Sequence, residues 1–120
     1  MLKKSVILQL ILLACTMLLG TVLVSNASAE VRMFHSGIGL LSGLNAIAVA
    51  YLTFKESSPS TVRYLAIATV GLTFLAGVGG KLAETDYATG LLLMRASALS
   101  AFITAAACLL NIKRKKGSSR

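Results

Sequence analysis

The chain holds a single histidine, His35, which opens an apolar stretch. Neutral imidazole is a common iron ligand, so His35 reads in two ways. It is either an interfacial side chain bonded to headgroups or loop carbonyls, or an axial ligand of a haem. One histidine per chain then needs a second ligand. Met94, expected at a similar depth in another apolar stretch, is one choice, and His35 of a second copy is the other. Arg95, beside Met94, is the exceptional charge within an apolar stretch. It lies about five residues from that stretch's end, roughly 7 Å below an interface at 1.5 Å per residue. There it either snorkels, pairs with Glu84, Asp86 or Glu30 in an outer-face polar cluster, or neutralises a haem propionate.

Composition dictates what must position these side chains. Of 120 residues, 56% are apolar and only 13% charged, against about one quarter charged in soluble domains. Mean hydropathy is +0.81. Lipid is the natural solvent for such a chain. Four apolar runs, at about 5–24, 34–54, 62–80 and 88–112, each approach the ~20 residues needed to cross a bilayer. A short chain in lipid satisfies its backbone within each run as a helix, and the polar–apolar alternation of a β-barrel is absent. The connections are short, and Pro59, the only proline, sits in one of them. The expected fold is therefore all-α: an integral-membrane, up-down bundle of four helices, followed by a basic cytoplasmic tail at 113–120.

Charge orients the bundle. Lys3, Lys4, Lys55, Arg63, Lys113, Arg114, Lys115, Lys116 and Arg120 collect on one side. Arg32 and Lys81, with Glu30, Glu84 and Asp86, collect on the other. The positive-inside rule predicts a multi-pass protein of the cell membrane with both termini cytoplasmic. The net charge of +8 thus reads as topology signal and anionic-lipid contact rather than a nucleic-acid surface. The first run also resembles a secretory signal, with Lys3 and Lys4 ahead of it and Ala27-Ser28-Ala29 as an A-x-A site before Glu30. Its 20-residue apolar length favours a retained helix over the usual 7–15 residues of a signal core. Asn26-Ala27-Ser28 is a glycosylation sequon, too close to the membrane to carry weight. Cys15 and Cys108 lie at different depths and read as small buried hydrophobes.

Small residues recur at four-residue spacing. Gly39-x-x-x-Gly43 marks the second helix, with Ser42, Ala46 and Ala50. Thr69, Thr73 and Gly77 mark the third. Ser97, Ala101 and Ala105 mark the fourth, beside a row of Ala96, Ser100, Thr104 and Cys108. Association in lipid relies on such close packing, within one chain or between chains. The residues Leu18 to Leu23 and Leu75 to Gly80 also echo one another, each closing an odd-numbered helix. Duplication of a two-helix unit and chance convergence both account for the echo.

The run His35-Ser36-Gly37-Ile38-Gly39-Leu40-Leu41, opening an even-numbered helix after an outer loop with Glu30, resembles part of one half of the haem A synthase family. That resemblance implies a four-helix unit with haem ligated at the outer ends of even-numbered helices and a role for the outer-loop glutamate. The chain departs from the family pattern. Glu30 and His35 are farther apart than in the family, Ser36 stands where an arginine is usual, and no second histidine opens the fourth helix. The resemblance thus implies a degenerate relative that binds haem rather than one that oxidises it.

Several functions are disfavoured. No nucleophile–base pair can be assembled, so an enzyme without a cofactor is not expected. No carboxylate lies at mid-membrane, which argues against an ion-coupled transporter, and no charge line or broken helix suggests a channel. The leading expectation is a non-catalytic accessory subunit or packing partner in a membrane complex, or a homo-oligomer. The alternative is a haem-binding membrane protein related to haem A synthase.

Overall fold

A computed structural model describes residues 2–25 and 29–118, excepting the side chains of 23–25 and 113–118. Every secondary-structure element among them is helical: α1 (Leu2–Ser25), α2 (Ala29–Lys55), α3 (Ser60–Leu82) and α4 (Tyr87–Ser118). All four are long and apolar enough to cross a membrane. The expected runs are recovered, with longer ends. α2 begins five residues earlier than expected, at Ala29, with Glu30 in its first turn, where a carboxylate is favoured by the helix dipole. The expected nine-residue first connection therefore shrinks to 26–28, which lie outside the described residues together with the sequon. α4 runs on to Ser118, so the backbone of 113–118 continues the helix instead of forming a separate tail. Lysine and arginine are good helix formers, and Gly117 comes too late to stop it.

Each helix touches two others. α1 contacts α2 and α4, α3 contacts α2 and α4, and the diagonal pairs do not meet. Gln9 meets Ser42 across α1–α2, and Thr69 meets Thr104 across α3–α4. Leu2 and Val6 share a cluster with Cys108 of α4 and with Val49 and Val62. These pairings make sequential neighbours antiparallel, in a body of 51 × 23 × 19 Å.

The distribution of residue types is inverted relative to a water-soluble bundle. The buried positions are mostly small or polar, including Gln9, Ser42, Ala46, Thr69, Thr73, Ser97, Ala101 and Ala105. Large apolar side chains such as Ile11, Leu40, Leu44, Phe74, Leu92 and Ile103 point outward on all four helices. Soluble monomers rarely expose an apolar surface of that extent.

The turns have identifiable causes. α2 ends in a Schellman motif: Ser58 N–H donates to Thr53 O at 2.9 Å and Ser57 N–H to Phe54 O at 3.3 Å. This places Ser57 at a left-handed φ of 52°, and Pro59 then prevents continuation. Asp86 caps α4, accepting the Thr89 N–H on Oδ1 at 3.4 Å, a role carboxylates fill at helix N-termini.

Burial repeats between the chain's halves at an offset of about 60, not the 57 of the Leu18–Leu23 and Leu75–Gly80 echo. Leu2, Val6, Gln9 and Leu13 of α1 correspond to Val62, Ala66, Thr69 and Thr73 of α3, each 60 residues on. Ser42, Ala46 and Val49 of α2 correspond to Ala101, Ala105 and Cys108 of α4, each 59 on. The bundle is two hairpins of matching register.

Candidate functional site

The most developed polar constellation lies between α1 and α2. Gln9, 1% exposed, donates from Nε2 to Ser42 Oγ at 3.0 Å. Asn45 Nδ2 donates to the Ser5 backbone carbonyl at 3.0 Å and to Gln9 Oε1 at 2.9 Å. A backbone carbonyl can only accept, so it fixes which end of the Asn45 amide faces α1, and through that the orientation of Gln9. The network is short and uncharged. It clamps two helices and offers no acid, base or nucleophile. At the same level of the second hairpin the Thr69 and Thr104 hydroxyls meet at 2.7 Å. In the sequence Gln9 is one of the few polar residues in its apolar run. Asn45, which tells more, was not singled out, although an amide three residues after Ser42 in an apolar helix is the available signal.

His35 sits between α1 and α2 at the opposite end from the N-terminus. Its imidazole hydrogen-bonds the Thr16 backbone and lies against Gly20, where a Cβ would stand 3.3 Å from Cε1. Nδ1 is buried without a partner. Met94 belongs to the other hairpin: its sulfur is 3.8 Å from the Cβ position of Gly80, and its backbone crowds Gly79. His35 and Met94 thus stand on the diagonal pair of helices, α2 and α4, which make no direct backbone approach to one another. Arg95 is exposed, as are Glu30, Glu84 and Asp86. All four occupy the same end of the bundle, and among the described residues Arg95 forms no ion pair with them. No group of three His, Cys, Asp or Glu side chains among the described residues could hold a metal ion, and both cysteines are free.

The small residues divide into two sets. Ser97 and Ala101 are buried at 5% and 0% exposure and serve packing within the chain. Gly39, Gly43 and Gly77 have no atom within 4 Å of their Cβ positions, so they lie open. The close approach that the chain does use is elsewhere. A Cβ on Gly79 would stand 2.6 Å from the Met94 nitrogen, and one on Gly90 would collide with the Ala83 backbone. Gly90 was not singled out in the sequence, since it stands alone outside any four-residue row.

At the other end, the Arg63 guanidinium lies 5.2 Å from the centre of the Phe54 ring, a cation–π distance. Its Nε is buried without a partner.

No protein-family model, curated protein or solved structure matches the chain.

Proposed function

We propose that the chain is a multi-pass integral membrane protein with both termini cytoplasmic, serving as a non-catalytic accessory subunit or packing partner in a larger membrane complex. The observation that carries this reading is the set of open glycines. Gly39-x-x-x-Gly43 and Gly77 are the residues that permit close helix approach, yet nothing in the chain approaches them. Among the described residues the buried polar side chains are all uncharged: Gln9, Ser42, Thr53, Ser58, Thr69, Thr73 and Ser97. That supports a structural role over ion-coupled transport or conduction. The charge asymmetry between the two ends supports the orientation.

The test is purification in mild detergent with mass spectrometry of the companions. The expected result is a colourless protein with a fixed set of larger membrane partners, whose recovery falls at least several-fold in Gly43→Leu at unchanged chain level. A chain that purifies alone overturns this reading.

A second reading, haem binding, has His35 as its motive, an imidazole with one nitrogen unpaired. Met94, the candidate second ligand within the chain, belongs to the other hairpin, and Gly20 closes against the His35 ring. Haem would take its second ligand from Met94 or from His35 of a second copy. A Soret band abolished by His35→Ala would establish it and displace the first reading.

A further inference from the structure

Among the described side chains, the end of the bundle that holds Lys55 carries the cations Lys3, Lys4, Lys55 and Arg63 against a single acid, Glu56. The three lysines are exposed. Arg63 differs from them: it is half-buried, its guanidinium lies 5.2 Å from the centre of the Phe54 ring, and Nε is covered. The two terminal nitrogens are not among the covered atoms, and no described residue, Glu56 included, pairs with them. A guanidinium with its stem held and its fork open is pre-organised for an oxyanion, because little rotamer freedom is left to lose on docking. Arg63 is also in the first turns of α3, where side chains lean back toward the helix N-terminus. That terminus has no side-chain cap and no acid in its first turn, so no group of the chain competes there for the fork.

Depth selects the kind of anion. Arg63 and Lys81 bracket the apolar span of α3. They stand about 27 Å apart along its axis, eighteen residues at 1.5 Å each, close to the ~30 Å of a hydrocarbon core. Arg63 therefore lies at the edge of the hydrocarbon, where headgroup phosphates begin. Phe54 and Tyr64, on either side of it, are exposed aromatic rings, the type that sits at that boundary. We propose that Arg63, braced by Phe54 and assisted by Lys55, binds the phosphate of an anionic glycerophospholipid whose acyl chains lie along these rings. The surplus of cations favours an anionic lipid over a zwitterionic one, whose ammonium group would meet Lys55 and its neighbours. A soluble phosphate ester shares the headgroup chemistry but has no apolar part to set against Phe54 and Tyr64. The guanidinium fork is what separates this site from the rest of the basic end, since planar, paired donors match phosphate oxygens and a lysine offers only a point charge.

This inference rests on the membrane reading. Native mass spectrometry of the full chain in mild detergent tests it, by titration with phosphatidylglycerol, with phosphatidylcholine of the same acyl chains, and with glycerol phosphate. The expected result is one phosphatidylglycerol retained per chain, at least about fivefold more tightly than phosphatidylcholine and not displaced by an equal concentration of glycerol phosphate. Arg63→Gln should weaken retention at least about fivefold, the weight of one basic residue at an anionic surface. Phe54→Leu, which keeps the cation and the apolar bulk but removes the ring, should weaken it about threefold. Replacing Lys3 and Lys4 together by glutamine, or Arg95→Gln at the opposite end, should change it less than about twofold. An unchanged thermal melt shows that the variants are folded, and if Arg63→Gln melts lower, Phe54→Leu decides. Equal retention of the two lipids overturns the inference, as does full retention by Arg63→Gln or Phe54→Leu. A loss from the Lys3 and Lys4 pair as large as that from Arg63→Gln also overturns it, since a diffuse field would then suffice. Displacement by glycerol phosphate would assign the site to a soluble ester and overturn the lipid. Release of the chain from its membrane by alkaline carbonate would instead sink the membrane reading itself, a separate outcome.

Discussion

At the scale of single residues, the amide pair between α1 and α2 concentrates the most structural consequence in the fewest atoms. Gln9→Leu keeps the volume but strips Ser42 Oγ of its donor and Asn45 Nδ2 of one acceptor. Its expected cost is about 1–2 kcal/mol, since two cross-helix hydrogen bonds are lost and the Asn45 amide is left with one acceptor. Thr104→Val, which removes a single hydroxyl contact with Thr69, should cost less, about 0.6 kcal/mol. Thermal or denaturant unfolding in detergent would read both, and a Gln9→Leu chain as stable as the original would remove the network from any structural role. His35 is also set by one neighbour: Gly20 leaves the space its ring occupies.

Between helices, what matters is how closely two backbones approach. α3 and α4 meet through Gly79 and Gly90, where a methyl group has only backbone to push against. Gly90→Ala should therefore separate the hairpin and cost about 3 kcal/mol or more, as overpacking against an unyielding neighbour does. Gly77→Ala, with no atom within 4 Å, should leave the stability of the isolated chain within about 0.5 kcal/mol. Comparing the two melts decides which glycines serve the chain itself and which are left for a partner. The α2 terminus gives an opposite sign. Ser57 pays the steric penalty of a left-handed φ, so Ser57→Gly should stabilise by about 1 kcal/mol.

For the whole molecule, the inverted distribution of residue sizes and the separation of charge are the governing features. On the proposed orientation, a cysteine at Lys81 should react with an impermeant reagent on intact cells, while one at Lys55 should react only after permeabilisation, in a background lacking Cys15 and Cys108. The reverse pattern would invert the topology. α1 bears on the same question. Cleavage before Glu30 would remove the buried Leu2, Val6, Gln9 and Leu13 and leave Ser42 and Asn45 without their partners. The intact mass of 12.5 kDa is the expected result for the protein isolated from its membrane, and a chain beginning at Glu30 would overturn that view of α1.

Much of this organisation follows from local chemistry and was legible in the residues alone. Four apolar runs, short connections with Pro59 in one of them, and the charge bias depend on composition and near-neighbour sterics. The rows of Ser97 and Ala101 or of Thr69 and Thr73 were likewise visible as faces. Which face a helix buries, however, depends on rotation about its axis, and a surplus of small residues leaves several rotations equally attractive. Only the packed bundle decided that Ser42 and Ala46 point inward while Gly39 and Gly43 stay open, that Gly90 rather than Gly77 touches a backbone, and that His35 and Met94 belong to separate hairpins. Periodicity along one helix carries no information about its rotation relative to another; contacts between helices supply it.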